Sequence, residues 1–247
     1  MIFKDVVIIS IMFNYTVVLQ FIMGVTSSIT MLGLYVSFRR KKDDRKMEIL
    51  KLGLFFFLFA LYSYLQSIPL IVFDSIVYCG WGFIFSVFTM LVMILVLFET
   101  KIFYLNPLIK KIKPFFKLLV IISTIFIMAI LITDFRLPII DQSGWIIWNA
   151  NPIAIWAFSL ITAFTALLWS FAYFDSARFT ESAVSRIKAY ILSLNGIIWA
   201  FAVLLYFPST SPSQISFAIV ITLISLILSA LVSWMPQYLP RKWEEIK

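Results

Sequence analysis

Phe38-Arg39-Arg40-Lys41-Lys42-Asp43-Asp44-Arg45-Lys46 is the densest charge cluster in a chain that is 62% hydrophobic, and long apolar runs lie on both sides of it. Basic loop residues stay on the cytoplasmic face of a membrane, so such a cluster sets the orientation of the segments around it. Only 13% of the residues are charged, and the mean hydropathy is +1.02. Soluble domains carry about 25% charged residues. This composition cannot cover a water-soluble core, and a bilayer span needs about 20 apolar residues. The apolar runs are continuous rather than alternating, which selects helices over a β-barrel.

Outward from the cluster, the spans are read at residues 11–38, 47–73, 76–98, 115–133, 148–174, 189–207 and 214–235. The fold class is all-α, a single seven-helix transmembrane bundle. The first run is too long for a removed signal peptide. Residues 102–114 read as a short interfacial helix with its lysines among the headgroups. Trp145, Trp148 and Trp156 read as an interfacial aromatic belt. With the N-terminus outside and the C-terminus inside, every Lys and Arg except Lys4 and Arg136 falls on the inner side.

The same distribution leaves no charge in the middle of any span. Proton pumps, ion-coupled transporters and voltage sensors use carboxylates or arginines there. Histidine is absent and Cys79 is the single cysteine. Imidazole ligation, Ser-His catalysis and cysteine metal clusters are therefore not available. No enzyme activity and no cofactor is expected. The seventh span contains no lysine, so it offers no attachment point for a retinal. The basic excess of +8 is read as topology and lipid contact, not as nucleic-acid binding.

The polar residues within the spans are few. Gln20, Gln66, Trp81, Asn195, Trp199 and Tyr206, with Tyr62, can line an outward-opening pocket for a small amphipathic or lipid-like ligand. Alternatively each amide bonds to a neighbouring helix and holds the bundle together. Ser225, Ser229 and Ser233 recur every fourth residue. That face suits a partner helix or close packing inside the chain. Arg39, Arg40, Lys41, Lys42, Lys110 and Lys111 form a basic inner face for lipid or a protein partner. Asn14-Tyr15-Thr16 fits the glycosylation acceptor pattern but lies too near the membrane for easy access.

A basic first loop leads into a long second span (39–51), an aromatic third span runs from Trp81 to Glu99, and Arg186 and Lys188 precede a span containing Gly196. In these features the chain resembles the seven-helix sensor region at the N-terminus of some prokaryotic histidine kinases. The resemblance implies sensing of a ligand or membrane state in a prokaryotic plasma membrane. Seven residues follow Pro240, so output is expected through a separate partner. A structural or accessory subunit of a larger membrane complex and a facilitator for a neutral or lipid-like molecule are the competing readings.

Overall fold

A computed structural model describes residues 15–40, 45–73, 75–100, 102–141, 145–180 and 182–234. Asn14 of the acceptor pattern, Lys41 and Lys42 of the basic loop, and the ends of the first and last expected spans lie outside these residues. The helices are α1 (Tyr15–Arg40), α2 (Arg45–Phe73), α3 (Ile76–Phe98), α4 (Ile102–Leu105), α5 (Pro107–Thr133), α6 (Pro152–Arg178), α7 (Ala183–Tyr206) and α8 (Pro212–Trp234). Seven of them, all but α4, are long and apolar enough to cross a membrane. A helix satisfies its own backbone, which is what a lipid environment demands.

Prolines and short polar caps set where these helices begin. Asn106 accepts the N–H groups of Leu108 and Ile109, and Asn151 accepts that of Ile153. Pro107, Pro152 and Pro212 occupy first helical positions, where a missing N–H costs nothing and the fixed φ favours the helix. This corrects two expectations. The interfacial helix over 102–114 is confined to Ile102–Leu105, and α5 runs unbroken from Pro107 through Pro114. Residues 148–151 precede α6, because Trp145 to Trp148 belong to a small hairpin. In it β1 (Ile139–Ile140) pairs antiparallel with β2 (Ile146–Ile147). Asp141 closes the turn by accepting the Trp145 N–H at 2.8 Å.

The seven long helices form a closed ring in chain order, with α8 returning to α1 and α3 reaching α6 through α5. Aromatic rings fill the centre. Trp199 of α7 stacks on Phe59 and Phe55 of α2, with centroids 4.9 and 5.3 Å apart. Phe55 also meets Trp169 of α6, whose ring meets Tyr173 edge-on. Such pairs add about 0.5–1.5 kcal/mol each beyond area burial.

Charges gather at the two ends. At the basic end Glu99, after α3, pairs with Lys113 and Lys117 of α5 and its carbonyl accepts from Lys51 of α2. At the opposite end Asp134 bonds Arg136 at 2.6 Å and accepts from Asn151, the cap of α6, at 2.9 Å. The Arg136 guanidinium, with the Asn151 amide, holds the Asp134 carboxyl below its usual value.

Two glycines set helix spacing. Pro69 lacks the N–H that would bond the Leu65 carbonyl four residues earlier. A Cβ at Gly82 of α3 would lie 2.2 Å from that same oxygen. The close approach of α3 covers the freed carbonyl. At Gly196 of α7 a Cβ would lie 2.6 Å from the Ala166 carbonyl of α6, whereas at Gly53 it would meet nothing within 4 Å. Gly82→Ala and Gly196→Ala are expected to cost about 1–3 kcal/mol by overpacking, about 2–4 °C of melting temperature for each kcal/mol. Gly53→Ala should melt no lower than the wild type. Thermal melts of the three variants in detergent check this; equal melting would mean that the two close approaches do not set the packing.

Candidate functional site

The Tyr206 hydroxyl, at the end of α7 opposite the basic loops, holds three partners. Gln20 of α1 donates to it at 3.0 Å, and the Trp148 indole donates at 2.9 Å. The hydroxyl donates to the Gln66 carbonyl oxygen of α2 at 3.0 Å. A phenol offers one proton and accepts at its oxygen, so this hydroxyl is fully used. The directions continue consistently. Gln66 donates to the Ser86 hydroxyl of α3 at 2.9 Å, and Ser86 donates to the Phe83 carbonyl at 2.7 Å. One chain of bonds thus joins α1, α2, α3, α7 and Trp148, the residue after β2.

The hairpin is fixed over this centre by its own contacts. The Ile146 N–H donates to Thr16 of α1 at 3.0 Å. Trp145 stacks on Tyr15, and Trp148 stacks on Phe83 with centroids 4.4 Å apart. Trp148 is 6% exposed, so it belongs to the interior and not to the interfacial belt expected from sequence. Its neighbours Ile146 and Ile147 pair with Ile139 and Ile140 across a turn closed by Asp141. Two β-branched pairs flanking a segment that contains Asp141 and Gly144 are the sequence signal for that hairpin. Ser86 had no such signal.

Beneath Tyr206 lies a chamber of about 30 Å³, lined by Gln20, Tyr62, Trp199, Tyr206 and Thr222 among apolar side chains. Measured as the room open to the centre of a water-sized sphere, one water needs about 10–15 Å³, so the chamber has room for about two. Two of its polar atoms find no partner among the described residues. They are the Gln20 Oε1, an acceptor, and the Trp199 Nε1, a donor. Both residues are more than nine-tenths buried. Leaving such groups unpaired costs about 1–3 kcal/mol each, so the chamber favours a small molecule that donates to one and accepts from the other.

The structure therefore brings Gln20, Gln66, Trp199 and Tyr206 together. It does not bring Trp81 or Asn195 to them. Trp81 is 38% exposed, and its ring stacks on Phe135 at 5.0 Å, on the outer wall of the bundle. Asn195 lies about three turns from Tyr206 along α7, where it donates to Ser229 of α8 at 2.8 Å. Ser225 and Ser229 are buried inside the ring, and Ser233 bonds the Ala230 carbonyl of its own helix. Lys110, Lys111 and Arg39 are exposed at the basic end.

No family model matches the chain, nor does any curated protein or solved structure.

Tyr206→Phe strands Gln20, Trp148 and Gln66 at once, at about 1–3 kcal/mol for each group left unpaired. Interhelical bonds in membranes fall toward the low end of that range. Trp148→Phe should cost less, and the double variant less than the sum. Unfolding by sodium dodecyl sulfate in mixed micelles measures all three. Additive costs would mean that the hydroxyl and the indole are not one unit.

Proposed function

We propose that the chain is a non-enzymatic, receptor-like membrane sensor that signals through a separate partner. The reading rests on one observation. An unpartnered acceptor on α1 and an unpartnered donor on α7 line the same small chamber. A small uncharged molecule bonding both would draw α1 toward α7. A molecule larger than about two waters would have to part them. Either way occupancy changes helix packing, as a sensor requires.

Trp199 connects the chamber to the Phe55, Trp169 and Tyr173 rings, which step toward the basic end. At that end Arg39, Lys110 and Lys111 are exposed, and a protein partner with an acidic surface suits that face. With the basic loops inside, the chamber lies in the outer half of the membrane, and the resemblance to prokaryotic sensor regions implies a plasma membrane. An accessory-subunit role has one observation in its favour. The most apolar window of α5 is only 17% buried, and that face could meet another subunit as readily as lipid.

The test is to extract the full chain in native-lipid nanodiscs, then measure particle mass and the small molecules released. The sensor reading expects a monomer or homodimer carrying a small uncharged compound. Gln20→Leu and Trp199→Phe should each reduce retention by about tenfold, the factor a lost buried hydrogen bond of about 1.4 kcal/mol corresponds to. A larger particle with stoichiometric membrane-spanning subunits, and no compound sensitive to either substitution, would establish the accessory role instead.

A further inference from the structure

A second, larger depression lies at the other end of the molecule, on the outside of the ring. It is a groove of about 290 Å³ between α1 and α2, walled by Leu34, Tyr35 and Phe38 on one side and Gly53, Leu54 and Phe57 on the other. Tyr35, Leu54 and Phe57 are between 44% and 50% exposed, so the groove opens sideways to the membrane. Its wall on α1 spans residues 31–38, about 10 Å along the helix. That is shorter than the hydrocarbon half of one leaflet, about 15 Å. A spanning partner helix would overrun it, whereas the upper part of an acyl chain matches it.

The groove has a charged mouth. The Arg39 guanidinium lies 5.2 Å from the centroid of Tyr35, and the Lys46 ammonium lies 5.6 Å from that of Phe38. Both rings line the groove, so each cation is held by cation–π attraction against the wall it tops. Glu48, the nearest acid along α2 among the described residues, is engaged by Lys51 at 3.0 Å. The floor is Gly53. Glycine weakens a helix, and here no neighbouring helix needs its small size, since a Cβ would meet nothing within 4 Å. Its effect is to deepen the groove.

We propose that this groove binds one anionic diacyl phospholipid from the leaflet on the basic side, with an acyl chain over Gly53 and the phosphate between Arg39 and Lys46. The site does not depend on the sensor reading and has its own lining: on α1 the chamber ends at Met23 and the groove begins at Met31, about 12 Å further along the helix.

The test uses the full chain in mild detergent, delipidated and then offered equal amounts of dioleoyl phosphatidylglycerol and dioleoyl phosphatidylcholine. Native mass spectrometry counts the lipid retained. One phosphatidylglycerol per copy is expected. Arg39→Gln and Lys46→Gln should each weaken retention about fivefold, the factor that about 1 kcal/mol per basic residue corresponds to. Gly53→Phe should abolish retention, and so should Leu54→Trp, which narrows the groove from its exposed wall; Gly53→Ala should leave it intact. Equal retention of the two lipids would overturn the proposal. So would full retention in both groove-filling variants, or displacement of the lipid by glycerol 3-phosphate at the same concentration, which would mark the mouth as a phosphate site without a lipid.

Discussion

A polar atom buried among hydrocarbon must find its partner within the protein, and the Tyr206 hydroxyl is where this bundle meets that requirement most densely. It satisfies an amide from α1, an amide from α2 and an indole from the hairpin. Apolar contact alone does little to hold helices together in lipid, because the tails are as apolar as leucine. Interhelical bonds and close approaches therefore carry an unusual share of the specificity. The Tyr206 centre supplies the bonds at one end. The Gly82 and Gly196 approaches supply the tight spacing of α2 to α3 and α6 to α7. Between them the stacked rings of Phe55, Phe59, Trp169 and Trp199 fill the space a ring of seven helices would otherwise leave.

The ends of the molecule are organised differently from its middle. The pairs of Lys117 with Glu99 and of Arg136 with Asp134 are partly exposed, and pairs of that kind contribute little stability; Lys113, the other partner of Glu99, is buried. They tie neighbouring elements at the surface: α3 to α5 at the basic end, and the end of α5 to the cap of α6 at the other. Among the described residues the middle of the bundle carries no charge, which leaves hydrogen bonds and packing as the means by which one end can influence the other.

The seven spans were legible in the sequence because length and hydropathy over 20 residues are strong signals in a chain this apolar. Their starts were less legible. Pro107 and Pro152 look like breakers when read as residues, yet each follows an asparagine that caps the helix it begins. Gln20, Gln66, Trp199 and Tyr206 could be proposed as neighbours from the ends of their spans. Trp148 could not, because its place depends on a hairpin of two-residue strands that folds back over the bundle. Asn195 bonds Ser229 of a neighbouring helix, the second of the two readings the sequence leaves open for its amides. Its distance from Tyr206 is readable along the helix, but whether it faces Ser229 or the chamber depends on helix rotation, and lipid and protein interior are too alike for hydropathy to show it.

The central claim is that the chamber at Trp199 is a reachable polar site, in contrast to the bonded Trp148 beside it. Deuterium exchange of the two indole protons, followed by NMR on tryptophan-labelled protein in lipid nanodiscs, tests it most directly. The Trp148 proton, held by Tyr206, should exchange slowly, and the Trp199 proton should exchange much faster. Equal protection of both indoles would show a sealed core and contradict a site there.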